Sequence, residues 1–119
     1  MSVKVNIRHF EGVTIVEVSG RITMGEGAVT LRDTVNEAFK AGTHKLVLDL
    51  GEVTYMDSSG VGELTTAYTS AKKRGCTLKL ARLTERLDDL MQITKLATIF
   101  DIYPDLTEAV ASFYHPAMA

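Results

Sequence analysis

The fold of this chain is decided by residues 46–62, which read LVLDLGEVTYMDSSGVG. The alternating leucines at the start of this segment share one face of a strand, and Val47 indicates that the other face is also partly buried. After Asp57 the spacing of apolar residues changes from that of a strand to that of a helix. The segment therefore predicts a buried strand that leads directly into a helix N-terminus.

The chain on either side of this segment alternates between strand and helix patterns. A β-hairpin is predicted around Glu11-Gly12, with strands that end near Ser19-Gly20, and a loop follows over residues 21–27. The later predicted elements are a helix from Ala28 to a stop at Gly42, the strand 45–50, a helix closed by Gly75, a strand over 77–82, a short helix after Thr84, a short strand near Ile99 to Ile102, and a last helix opened by Pro104 and Asp105.

The order ββαβαβαβα predicts an α/β fold with a mixed sheet. Strands that alternate with helices pair in parallel, and the hairpin adds one antiparallel pair. We expect one small domain over residues 1–119, with about five strands and about four helices. The tail, residues 114–119, is expected to fray.

Composition excludes several classes of function. The net charge of −2 gives no overall basic excess for nucleic-acid binding, and the basic residues 72–74 suit the end of a helix. The single cysteine, Cys76, rules out an internal disulfide and is typical of a reducing compartment. The N-terminus lacks a signal-peptide pattern, and no apolar run is long enough to span a membrane. We therefore expect a cytoplasmic protein.

Neither enzyme chemistry nor a cofactor or metal is predicted. His9, His44 and His115 are scattered along the chain, and no histidine or cysteine cluster has metal-ligand spacing. The segment Gly25-Glu26-Gly27 lacks the third glycine of a dinucleotide-binding motif, and the DSSG run is not a nucleophile elbow. A nucleotide-binding or catalytic role stays open as a minor alternative, because the end of a strand in an α/β sheet is where such sites arise.

The run Asp57-Ser58-Ser59-Gly60 has two interpretations. The simpler one is a capped helix start, because aspartate and serine are favoured N-cap residues. However, a cap requires one side-chain oxygen and three successive residues supply one here. Gly60 and Gly62 leave the first helical turn nearly bare, so that another protein could approach a serine hydroxyl. We therefore predict a modification site at this helix N-terminus.

The same residues give the chain a resemblance to STAS-domain proteins, and among them to the bacterial anti-sigma-factor antagonists. It extends from Val3 to about Phe113 and is strongest over residues 46–50 and 55–62. The resemblance implies a regulator that binds an anti-sigma factor which is also a serine kinase with a histidine-kinase-like ATPase domain. Phosphorylation of Ser58, with Ser59 as the second choice, would release that partner, and a serine phosphatase would reset the switch. The partner-binding residues it implies are Asp57, Ser58, Ser59, Gly60, Val61, Gly62 and Thr23.

One segment departs from the family pattern. Many members carry an acidic pair of the form G-E-x-D after the second strand, and here the corresponding residues are Gly20-Arg21-Ile22-Thr23. This change favours a second hypothesis, in which the domain is a constitutive scaffold or adaptor subunit and Ser58 is only a helix cap. A tolerant loop explains the same change equally well, so both hypotheses stay open.

Overall fold

A computed structural model describes residues 3–114, which form a five-stranded sheet and four α-helices. The order ββαβαβαβα is as predicted, and the tail expected to fray lies, from His115 onward, outside the described residues. The elements are β1 (Lys4–Phe10), β2 (Val13–Ile22), α1 (Glu26–Lys40), β3 (Lys45–Met56), α2 (Ser58–Arg74), β4 (Thr77–Ala81), α3 (Glu85–Ile93), a 3-10 turn (Leu96–Thr98), β5 (Asp101–Tyr103) and α4 (Leu106–Tyr114).

The sheet is mixed, as the sequence predicted, and β3 lies at its centre. The strand order is β1-β2-β3-β4-β5, with β1 and β2 antiparallel and every other neighbouring pair parallel. The alternating leucines of β3 point into the larger core beneath α1, α2 and α3. Val47 points the other way, into a smaller core that α4 covers. Burial of both faces of β3 is therefore confirmed.

Strands β2 and β3 are longer than predicted, and each supports the extension of the other. The register pairs Gly20 with Val53 and Ile22 with Met56, across two irregularities in the ladder. The predicted strand ends at Leu50, but the backbone continues as a strand through Gly51 to Met56. A Cβ atom on Gly51 would lie 2.5 Å from the guanidinium carbon of Arg82, which is held against β3 by a 2.8 Å ion pair with buried Asp49. A side chain at residue 51 would therefore displace the Arg82 guanidinium from its position beside Asp49.

The helix ends follow the sequence signals more closely than the strand ends do. Gly75 closes α2 in the left-handed conformation, with φ of 71°. Thr84 caps α3, and Asp105 accepts a 2.8 Å hydrogen bond from the backbone N–H of Glu108 at the start of α4. Helix α1 begins at Glu26, two residues earlier than predicted, without a side-chain cap. The final strand is shorter than predicted because Phe100 turns into the core after the 3-10 turn.

Two glycines bring the first turns of α1 and α2 close to the end of β2. A Cβ atom on Gly27 would lie 2.5 Å from the carbonyl oxygen of Arg21, and one on Gly60 would lie 2.9 Å from that of Ile22. The helix N-termini therefore rest directly on the carboxyl ends of β2 and β3. This close packing places residues 57–62 at the end of the sheet where β2 and β3 have their carboxyl ends.

The two glycines of the α2 first turn give a matched test of this packing. Gly60→Ala is expected to destabilise the protein by about 1–3 kcal/mol, because the new Cβ has no room beside Met56 and Ile22. Gly62→Ala should instead stabilise it by about 0.5–1 kcal/mol, because Gly62 is helical and has nothing within 4 Å of its Cβ position. Urea denaturation measures both values, and shifts of the same sign would contradict the packing.

Candidate functional site

Asp57 organises the N-terminus of α2. It is the N-cap residue, and its Oδ1 accepts hydrogen bonds from the backbone N–H groups of Ser59 at 2.9 Å and Gly60 at 3.3 Å. Its Oδ2 accepts a third from the N–H of Met24 at 3.0 Å. One carboxylate therefore serves two donors of the helix and one donor of the loop between β2 and α1. The loop and the helix N-terminus are held together as one unit.

These hydrogen bonds also fix the charge of Asp57. Backbone N–H groups stabilise the ionised carboxylate, and they lower its pKa below the usual value for aspartate. The bond from Met24 contributes most to this effect, followed, among the hydrogen bonds, by those from Gly60 and Ser59. Asp57 is thus an anchored negative charge beside the two serines.

Ser58 is not the helix cap. Because Asp57 takes that role, Ser58 is the first residue of α2 and it is exposed, whereas Ser59 is half-buried. The suggestion that Ser58 serves only as a cap is therefore wrong. Its side chain lies on the surface at the end of a seventeen-residue helix, where a visiting protein can reach it.

The other predicted partner-binding residues divide into surface and interior positions. Gly62 is exposed and Val61 is half-buried, but Gly60 is buried. The sequence had suggested that Gly60 lets another protein approach the site. Instead, its lack of a side chain allows α2 to pack closely on β2 and β3. Thr23 is half-buried beside the site, and its carbonyl accepts a 2.9 Å hydrogen bond from Ala28 in the first turn of α1.

Arg21, at the position where the resemblance led us to expect an acidic residue, is in contact with β3. Arg21 is exposed, and its guanidinium carbon lies 4.6 Å from the centre of the Tyr55 ring. This separation is within the range of cation–π attraction. The two residues are also paired in the ladder between β2 and β3. The contact therefore holds the Arg21 side chain against β3, the strand that leads to Ser58.

Two apolar side chains near the site were not singled out from the sequence. Met24 and Ile93, 80% and 77% exposed, are the most exposed of the large apolar side chains in the described part of the chain. Met24 adjoins Asp57 through its backbone N–H, and Ile93 lines a surface groove together with Tyr55 and Met56. Both thus lie near residues 55–57, the segment that leads into α2. The one available signal was the position of Ile93 outside the apolar stripe of α3.

Residues 3–114 offer no candidate metal centre, and their one cysteine is buried. No group of three or more histidine, cysteine or acidic residues in this range is placed to hold a metal ion. Cys76 is buried, as expected, and burial raises the pKa of its thiol. No helix in the same range is long and apolar enough to cross a membrane.

Replacing Asp57 by asparagine tests its role as an anchor. An amide offers one acceptor oxygen instead of two, so the Met24 N–H or the helix donors lose their partner and the melting temperature should fall. Because the pKa of Asp57 is lowered in the folded state, the advantage of the wild type is complete at neutral pH and disappears as pH falls through that pKa.

Thermal unfolding across the acidic range measures this pH dependence. The control is Asp33→Asn, at an exposed position on α1, which should change the melting temperature less at neutral pH. A gap between wild type and Asp57→Asn that stays constant down to strong acid would contradict the anchor.

Comparisons with known proteins agree with this architecture. A family model described as the STAS domain matches residues 4–109. The anti-sigma-B factor antagonist of Bacillus subtilis is 35% identical over 102 residues, which cover 86% of this chain and 92% of that protein. The anti-sigma F factor antagonist of Paenibacillus polymyxa is 25% identical over 111 residues, 92% of this chain and 94% of that one.

A solved structure extends the likeness to three dimensions. The crystal structure of an anti-sigma factor antagonist from Mycobacterium paratuberculosis superposes with a TM-score of 0.84 at 25% identity, and covers 93% of each chain. The single sheet with helices packed on both faces is therefore shared with solved relatives. This chain is a member of the STAS domain family.

Proposed function

We propose that this protein is an anti-sigma factor antagonist that works by partner switching. In its unmodified form it binds an anti-sigma factor that is also an ATP-dependent serine kinase, and the sigma factor is thereby freed. Phosphorylation of Ser58 ends the binding, and a serine phosphatase restores it. The observation that carries the proposal is the exposed Ser58 at the first position of a helix that another residue caps. In this role the protein is a substrate and binding partner in the cytoplasm, not an enzyme.

The chemistry required of Ser58 is that of a phosphoacceptor. Its Oγ attacks the γ-phosphorus of ATP bound to the kinase, its proton passes to a base of the kinase, and ADP leaves. The product carries about −1.5 to −2 charge at pH 7. The phosphatase reverses the change by hydrolysing the ester to serine and phosphate.

The new charge acts on binding more than on folding. The N-terminus of α2 favours an anion, whereas the anchored carboxylate of Asp57 repels it, so the two local effects oppose each other. The exposed position of Ser58 also lets water solvate the phosphate in the free protein. In a complex the phosphate would lose this water beside Asp57, and burial of an unpaired charge in an interface is costly.

The surface around Ser58 supports a protein partner. Met24 and Ile93 lie near residues 55–57, which lead into α2, and they expose apolar area that a partner can bury. Apolar anchors beside a polar centre are typical of protein interfaces. A phosphate on Ser58 would bring a strongly hydrated charge into the same contact surface.

The second candidate is a constitutive scaffold or adaptor subunit, which the change of the acidic pair favours. Arg21 brings a positive charge to the edge of the sheet where many relatives carry a negative one, and its contact with Tyr55 holds it there. A scaffold of this kind would keep its partner whatever the charge at Ser58. The two functions therefore differ in what a negative charge at this position does.

Ser58→Asp and Ser58→Asn form a matched pair that separates them. Asparagine and aspartate have nearly the same size and differ in charge, so partner switching predicts that only Ser58→Asp loses the partner. Calorimetric titration with a candidate anti-sigma factor kinase from the same organism should show an affinity lowered by roughly 100-fold or more for Ser58→Asp. Ser58→Asn should stay close to the wild type.

Equal affinities for the two variants would contradict release by charge and favour the scaffold. A wild-type protein that binds no anti-sigma factor kinase of its organism would contradict the proposed partner. Thermal unfolding serves as the folding control, because both variants alter an exposed residue and should leave the melting temperature nearly unchanged.

A further inference from the structure

Strand β1 forms a free edge of the sheet in the described fold. It pairs with β2 on one side through seven consecutive residues, and its other side has no neighbouring strand in the described fold. It contains no proline and its register with β2 has no irregularity, whereas the opposite edge strand, β5, has only three residues. Natural edge strands are usually short, bulged, interrupted by proline or charged, because a free edge invites pairing with another chain. Of these devices β1 has only charges, those of Lys4 and Arg8.

The middle of this edge strand carries an exposed apolar side chain. Ile7 is the central residue of β1 and it is 45% exposed. It lies opposite Val16, which belongs to the larger core, so its side chain is on the face of the sheet that α1 covers. Its exposed surface would be covered by a further strand.

The charges of β1 lie on the opposite face and are partly neutralised. Arg8 forms a 2.8 Å ion pair with Glu17 of β2, and Asn6 donates a 3.1 Å hydrogen bond to the same carboxylate. Lys4 is the other charged residue on this face. The edge thus presents two cations in a fixed spacing, which restricts how a second strand can align.

We propose that β1 pairs antiparallel with β1 of a second copy, around a two-fold axis that passes through Ile7. This axis is perpendicular to the sheet, so residues directly opposite each other in the two β1 strands must lie on the same face of the sheet. Because side chains alternate between faces, the register can change only by two residues at a time. Full overlap places Ile7 opposite Ile7 of the second copy, Arg8 opposite Asn6, and Lys4 opposite Phe10. A shift one way places Lys4 opposite Arg8, and a shift the other way places Arg8 opposite itself. Like charges directly opposite are destabilising, so the charges select full overlap.

The helices leave room for this pairing. In the dimer the two β2 strands would be separated by three strand spacings, about 14 Å. Helix α1 packs against β2, and a helix with its side chains is about 10–12 Å wide. The two α1 helices can therefore lie side by side, with the isoleucines between them.

The modification site would remain open in such a dimer. Ser58 follows β3, and β2 lies between β3 and the pairing edge. The dimer would present two copies of the surface around Ser58. The inference does not depend on whether Ser58 is phosphorylated.

Sedimentation velocity over concentrations up to about 1 mM tests the dimer, because a strand-pair interface is small and falls in the weak class. The wild type should shift from monomer to dimer as concentration rises. Ile7→Lys places like charges at the two-fold axis and should stay monomeric, while Ile99→Lys, the same change at an exposed position just before β5, should behave as the wild type. A wild type that stays monomeric, or an Ile7→Lys protein that dimerises equally, would overturn the proposal.

Oxidative cross-linking tests the register separately. Ile7→Cys should give a disulfide-linked dimer, because opposite Cα atoms in an antiparallel pair lie within disulfide reach. Asn6→Cys should not, since its two copies would be displaced by two residues along the strands, and the buried Cys76 of the wild type gives the background. Cross-linking through residue 6 and not through residue 7 would contradict this register.

Discussion

The carboxylate of Asp57 is the constraint on which the site depends. It binds backbone N–H groups of two segments that are far apart in sequence, the loop after β2 and the first turn of α2. Without such an acceptor, the backbone N–H groups of Met24, Ser59 and Gly60 would have no protein partner and would have to bind water. With it, the first turn of α2 has a fixed position relative to the loop, and the charge of the aspartate is fixed as well.

This anchor leaves Ser58 free for another role. A serine that caps a helix has its oxygen committed to a backbone donor, whereas the first helical residue of a capped helix does not need that bond. The stiffness beneath Ser58 comes from the closely packed Gly60 and from the long pairing of β2 with β3. A charge added to such a position changes what can dock there while the fold beneath it is unaffected. That separation of binding from stability is what partner switching requires.

The sequence predicted the order of elements and the mixed character of the sheet, because those depend on strong, repeated patterns. The alternating leucines of β3 and the stop at Gly75 are examples, and both act through local chemistry. The continuation of β3 beyond Leu50 could not be predicted, because it depends on pairing with the end of β2, a segment distant in sequence.

At the site, too, local patterns could be predicted from the sequence and contacts between distant segments could not. The DSSG run identified the helix N-terminus, but it could not decide which of three oxygens forms the cap. In the folded chain Asp57 forms the cap, and its second oxygen binds the N–H of Met24, 33 positions earlier in the sequence. The exposure of Met24 and Ile93 is likewise a property of the packed domain, and neither residue belongs to the motif.

The most direct measurement is the location of phosphate after incubation with ATP and an anti-sigma factor kinase of the same organism. Intact mass and fragmentation should show one phosphate, carried by Ser58, and none on a Ser58→Ala protein that folds normally. A phosphate on Ser59 with Ser58 unmodified would contradict the assignment of the exposed hydroxyl. A protein that forms the complex with an active kinase and takes up no phosphate would contradict the switch itself.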